Sequence, residues 1–420
     1  MTGPLITNDA VVFGLLALCL GFIFYTSSIG TGFWKRFYSV VPAVLMCYLL
    51  PSILSSVGVI SDDTSNLYFI ASRYFLPAAL VLLTLSIDLK AIRDLGGKAL
   101  IMFLTGTVGI IIGGPLAVLI VSIFSPETVG GAGFDAVWRG LATLAGSWIG
   151  GGANQAAMLE IFKYNPEKYG ALVLVDIVVA NIWMALLLLG AGRTRQLDRW
   201  LKADVSSIET LKTKVSEFTE KIARIPTLRD YMMLLFFGFG TVGLSHFFGD
   251  KISAFLVDNV EAVRNKESFL SFLGEEFFWI VVLATVVGIA LSFTKAKNYE
   301  GAGASKIGGV FIYILVATIG MKMDLGKVLE NPGLLAIGFI WITIHGLLLI
   351  LVAKWIKAPF FFLAVGSQAN VGGAASAPIV AAEFHPSLAS VGVLLAVLGY
   401  AIGTFGALLC TYLMEIASKV

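Results

Sequence analysis

The sequence predicts an all-α polytopic membrane protein built from two inverted repeats, each about five transmembrane helices plus one glycine-rich re-entrant or broken helix. Three observations carry this: scarce charge, a glycine-rich phrase that occurs twice, and the side of the membrane to which the basic loops can be assigned. Of 420 residues, 58% are hydrophobic and 13% charged, with a mean hydropathy of +0.90, too little charge to cover a soluble globule of this size. The net charge of +2 is scattered over short loops and one linker, so no basic face is offered to nucleic acid. Cys19, Cys47 and Cys410 lie in apolar stretches without paired or metal-ligand spacing and read as small core residues.

In chain order, apolar runs able to span ~30 Å of hydrocarbon fall near 9–29, 37–60, 67–87, 99–124, 169–191, 231–248, 277–294, 306–322, 333–356 and 388–414, which makes ten crossings. The first run is preceded by no Lys or Arg and carries Asp9, the wrong flank for a cleavable signal peptide. It is expected to stay, with its N-terminus outside the cell's inner (plasma) membrane. The loops holding Lys35-Arg36, Lys90/Arg93/Lys98, Arg193/Arg195/Arg199/Lys202, Lys295/Lys297/Lys306 and Lys354/Lys357 are expected in the cytoplasm by the positive-inside rule. Those holding Asp62-Asp63, Glu127/Asp135, 250–276 and 323–330 should face outside. The assignments agree only if each glycine-rich stretch, 136–163 and 358–383, enters and leaves on one side. As full crossings they would force Arg193–Lys202 outside.

The repeated phrase is Gly146-Ser147-Trp148-Ile149-Gly150-Gly151-Gly152-Ala153-Asn154-Gln155, then Gly366-Ser367-Gln368-Ala369-Asn370-Val371-Gly372-Gly373-Ala374-Ala375-Ser376. Glycine inside a helix costs ~1 kcal/mol relative to alanine, so this backbone must serve another end. Gly146 and Gly366 lie 220 positions apart, as do Pro166 and Pro386, whereas Asp88-Leu89 and Asp324-Leu325 lie 236 apart. One insertion of 16 residues around Ser125–Gly140 accounts for the difference. The Asp88 loop is assigned inside and the Asp324 loop outside, so residues 1–191 form a first repeat and 231–420 a second, inverted one. Between them, 192–230 is a cytoplasmic linker whose apolar residues recur at three- and four-residue steps. It reads as an amphipathic helix on the inner membrane surface or against the body, with a dimer coiled coil or docking site as the alternative. Segment 250–276 reads as a similar interfacial helix on the outer face.

Non-helical backbone at membrane depth survives only where it lines a cavity or is buried in protein. Two such breaks in matching places point to a binding site between the halves, with close helix packing through the glycines as the lesser alternative. The side chains beside them, Ser147, Asn154, Gln155, Ser367, Gln368, Asn370 and Ser376, are neutral oxygen donors suited to a small hard monovalent cation or to a polar substrate. Asp176 stands inside a spanning helix, where an acid is expensive enough to imply a role. Asn181 lies close to the same face. The residue 220 positions after Asp176 is Ala396, so the site is asymmetric, and on the equivalent helix the polar candidates are Tyr400 and Thr404. These residues give candidate ion-coupling groups in Asp176, Asn181 and Thr404, and a candidate Na+ site at Asn154, Asp176 and Asn370. Neutral oxygens favour Na+, while a single buried acid suits Na+ or H+. Arg73 reads as a snorkelling anchor, His345 as structurally hydrogen-bonded, and Glu160 and Glu383 as interfacial or gating residues. No Walker, HExxH or GxSxG motif and no Cys/His cluster occurs, so neither an enzyme nor an organic cofactor is expected.

Through Gly146–Asn154, Ser367–Gly373 and the closing Gly392–Thr404, nearly the whole chain resembles the YjcL-like family of membrane proteins of unknown function, itself distantly similar to sodium/glutamate and bile-acid/sodium symporters. The resemblance implies inverted halves, a scaffold or dimer-forming domain and a mobile transport domain holding the hairpins. It implies no substrate, and the long linker departs from a minimal symporter. The expected function is ion-coupled secondary transport of a small anionic or zwitterionic organic solute by a homodimer in the lipid bilayer. The alternative is a channel or a non-transporting receptor on the same body.

Overall fold

Asn8 opens the first span, its side-chain oxygen accepting from the backbone N–H of Ala10 and Val11 at the start of α1 (Asp9–Ser27). The computed structural model describes residues 4–38, 41–85, 93, 95–205, 208, 225–265, 269–323, 331–385 and 388–419. After α1 come α2 (Gly32–Tyr38), α3 (Ala43–Ser56) and α4 (Leu67–Leu85), the last containing a π-helical turn at Ala71–Phe75. Next are α5 (Gly97–Phe124), α6 (Val137–Phe162), α7 (Tyr169–Ala191) and the short α8 (Thr194–Leu201). Thr227 and Asp230 form a reciprocal capping box at α9 (Leu228–Asn259). It is followed by α10 (Glu276–Ser292), α11 (Ala304–Lys322), α12 (Gly333–Trp355), α13 (Phe360–Val371), α14 (Gly373–Phe384) and α15 (Ala389–Ala417).

Among the described residues, eight helices are long and apolar enough to span a membrane, or up to ten if each bent pair counts as one span. These are the ten runs expected. The outer segment departs from expectation: 250–259 continues α9 rather than forming a separate interfacial helix. Its apolar residues Ile252, Phe255 and Leu256 keep helical spacing, and no proline interrupts them. In the linker, α8 ends at Lys202 in the left-handed region; residues 209–224, like Asp88-Leu89, Asp324-Leu325 and Pro386, lie outside the described residues.

The helices pack as two groups. In one, α1 lies on α3 as α9 lies on α10, α3 packs on α11 as α10 packs on α4, and α4 meets α11. The other holds α5, α6, α7 and α12–α15, with α5 against α12 at its centre, and contacts between the groups are sparser. Close approach of α5 to α12 depends on glycine: a Cβ at Gly109 would lie 3.1 Å from the His345 backbone, and one at Gly113 only 2.7 Å from the Trp341 ring. The cysteines Cys47 and Cys410 are buried and free, as core residues should be, whereas Cys19, also free, is only half-buried on the outer helix α1.

Candidate functional site

Helix α6 is folded back on itself. Arg139, at its start, donates to the carbonyl of Phe162, at its end, at 2.8 Å, and the Trp138 and Phe162 rings pack 5.8 Å apart. A straight helix would hold these residues more than ~30 Å apart. The fold occurs at Gly151, with φ 73° and ψ −172°, a conformation essentially reserved for glycine. The second phrase turns between α13 and α14 at Gly372-Gly373, with φ +56° at Gly373, bringing the Phe361 and Phe384 rings to 5.2 Å. Both glycine-rich stretches are therefore hairpins that enter and leave at one end, as the loop charges required.

The hairpins enter from opposite ends of the molecule. The open end of α6 lies beside the start of α7, where Lys168 pairs with Asp135. The open end of α13–α14 lies where α7 finishes: Asp198 of α8 accepts from the Phe360 N–H at 2.8 Å, capping α13. Burial pushes the Asp198 carboxyl up, and this bond pulls it back. Helix α7, with 23 residues, separates the two open ends by about 34 Å. The basic residues Lys98, Lys354 and Lys357 gather at the α13–α14 end, where Lys98 pairs with Asp204 at 3.1 Å and Lys354 covers the Trp200 ring.

The tips meet midway. A Cβ on Gly373 would lie 3.8 Å from the Gly151 Cα. Between the tips and α7 stands Asp176, whose carboxylate accepts from Ser147 Oγ at 2.7 Å, Trp148 Nε1 at 2.7 Å and Gln155 Nε2 at 3.0 Å. Ser147 and Trp148 belong to one arm of the hairpin and Gln155 to the other, so a single acid ties both arms to α7.

Asp176 lines a cavity of about 490 Å³ that lies between the helix groups. One wall is Ser147, Gly151-Gly152, Gln155, Gln368, Gly372-Gly373, Ser376 and Tyr400; the other comes from α3, α4 and α11, including Tyr48, Lys306 and Tyr313. Asn181 and Met184 extend it along α7 towards the α13–α14 end. A larger hollow of about 770 Å³ among the loops at the α6 end, lined by Glu127 and Asp135, touches neither tip.

The structure thus brings together Ser147, Gln155, Asp176, Asn181, Gln368 and Ser376. Asn154, Thr404, Asn370 and Ser367 stand behind the tips. Asn154 donates to the Gly150 carbonyl at 2.8 Å and accepts from Thr404 Oγ1 at 2.6 Å. Asn370 donates to the Gly366 and Phe103 carbonyls and accepts from Thr107. Ser367 accepts from Trp183 Nε1 and bonds to His345 Nε2, and His345 Nδ1 bonds to the Gly106 carbonyl. With Nδ1 protonated and Ser367 donating to Nε2, every member of this chain is satisfied, which is the structural role expected of His345. The grouping of Asn154, Asp176 and Asn370 as one Na+ site is not assembled: both amides are committed to helix carbonyls and hydroxyls that hold the tips in shape.

At the α6 end, charged pairs join the two helix groups. Arg73 on α4 lies 3.6 Å from Glu160 on α6 and covers the Phe277 ring at 4.2 Å, while Lys163 meets Glu275 at 2.7 Å. Arg73 sits in the π-helical turn, four residues before Pro77, which has no N–H to offer the Arg73 carbonyl, and this carbonyl bonds to His246 at 3.0 Å. Arg73 is thus a bridge rather than a snorkelling anchor. Sequence reasoning missed Trp148, Trp183 and Lys306. An indole inside an apolar phrase reads as core, and a lysine just before a span reads as a flank.

The chain is 24% identical over 398 residues to the Uncharacterized membrane protein YjcL of Bacillus subtilis (strain 168), an alignment covering 92% of this chain and 93% of that one. The family model described as Protein of unknown function (DUF819) matches residues 14–416, and the chain, a multi-pass membrane protein, belongs to that family.

Proposed function

We propose that the protein is a secondary transporter that moves a small solute by alternating access, coupled to Na+ or, less readily, to protons. The observation that carries this is the cavity at the meeting point of two oppositely entering hairpins, with Asp176 on its wall and a second helix group facing it. A site between two sparsely joined groups can open to either end by rocking one against the other. The cavity walls run from the tips towards the α13–α14 end, where the basic loops cluster, which supports a cytoplasm-facing state. The Arg73–Glu160 and Lys163–Glu275 bridges close the opposite end. A closed end also disfavours a continuous pore. Na+ is preferred because the cavity carries the neutral oxygens of Ser147, Gln155, Gln368 and Ser376 beside a single acid.

The test is uptake by purified protein in liposomes, using solutes that raise its thermal midpoint and imposing a Na+ or a proton gradient. Gradient-driven accumulation that collapses in Asp176→Asn is expected. Solute flux that only equilibrates, unaffected by either gradient, would make the protein a channel.

A further inference from the structure

The hydrogen-bond inventory of the cavity is lopsided. The side-chain donors at the first tip, from Ser147, Trp148 and Gln155, all point at Asp176, and Gln368 Nε2 is used on Ser376 at 2.7 Å. Acceptors are left over. Gln368, 1% exposed, lines the cavity with its Oε1 closed off from solvent and without a donor. A buried carbonyl without a donor is costly, and a ligand in the cavity that draws this side chain towards it supplies one. A carboxylate has about four lone-pair positions, and Asp176 has one not taken by the bonds above. Unfilled acceptors beside an acid call for a positive group carrying N–H donors. Among the described residues, the opposite charge on the wall belongs to Lys306, in the first turn of α11 at the rim end of the cavity.

Resting on the transporter reading, we infer that the cavity binds a small zwitterion, its ammonium between Asp176 and the Gln368 carbonyl and its carboxylate towards Lys306. The lining residues on α7 run from Asp176 to Met184, about 12 Å along the helix. This length suits a dipeptide, which spans ~7 Å when extended and whose charged ends can approach opposite walls with the help of the long Lys306 side chain, rather than a free α-amino acid, whose two charges share one carbon.

The experiment uses the full chain in nanodiscs and calorimetry with the twenty amino acids and a set of dipeptides. Each binder is compared with its N-acetyl derivative, which lacks the ammonium, and its amide, which lacks the carboxylate. Titrations run in Na+ and in K+ buffer separate a solute ammonium from Na+ alone. The expected result is that a zwitterion binds and that each blocked form binds about tenfold or more weakly. Asp176→Asn should remove the discrimination against the N-acetyl form, and Lys306→Gln that against the amide. Lys306 is exposed, so its variant tests the assignment even if Asp176→Asn fails to fold. Binding of dicarboxylates in preference to every zwitterion, equal binding of the blocked forms, or a response to Na+ alone overturns the assignment. Binding with this discrimination but without uptake in liposomes would instead overturn the transporter reading and leave the ligand class standing.

Discussion

Asp176 and Asn154 are both polar residues beside a glycine break, yet they do different work. Asp176 faces the cavity, whereas Asn154 is sealed behind the tip with Thr404 as its donor. Thr404→Val removes that donor without altering the cavity wall. It should lower stability by about 1–3 kcal/mol, measured as a reduced thermal midpoint, while ligand affinity in the folded fraction stays unchanged. An acid in an apolar run announces itself, so Asp176 was legible from sequence. The assignment of Asn154 and Asn370 to the same ion was not. Where a helix folds back, helical periodicity no longer tells which way a side chain points, and the break lies within four residues of each amide. Trp148 was invisible for another reason: its indole N–H, the part that touches Asp176, makes a negligible difference to the hydrophobicity of its phrase.

At the scale of the element, the hairpins depend on backbone angles that side chains resist. Gly151 combines φ 73° with ψ −172°, so Gly151→Ala should cost about 1–3 kcal/mol. Gly373→Ala, at φ +56°, lies in the left-handed region that other residues can enter and should cost less than Gly151→Ala, about 1 kcal/mol. Chemical denaturation of the two variants in the same detergent checks the ranking, and equal losses would count against the geometry. That these stretches double back was readable from loop charge alone, because a hairpin and a crossing leave the next loop on opposite sides. The boundary of α9 was not readable, since an amphipathic helix on the membrane surface and a helix protruding from it share the same spacing of apolar residues.

For the whole molecule, the transporter reading proposed above makes the bridges at the α6 end the groups that hold that side shut. In a variant with its three native cysteines replaced, Ser376→Cys should react with an impermeant thiol reagent from the α13–α14 side. Adding Arg73→Ala and Glu275→Ala removes one partner from each bridge. Reactivity from the α6 side is then expected to rise severalfold, and labelling that stays one-sided would show that these pairs do not hold the end shut. Neither bridge was foreseeable as a pair. Arg73 and Glu160 are far apart in sequence and belong to different helix groups, so only the packing of α4 against the hairpin brings them together.

Hairpin α6 rests its tip on α15: a Cβ at Gly403 would lie 2.6 Å from the Gly150 Cα, and the Thr404–Asn154 bond joins residues 250 positions apart. During synthesis, then, the first hairpin enters the bilayer long before its seat exists. Until α15 arrives, Asn154 has no Thr404, and the tip faces lipid or a provisional neighbour. Completion of the cavity is thereby tied to late arrival of distant chain, and the two halves produced as separate polypeptides should remain unfinished until mixed in one membrane.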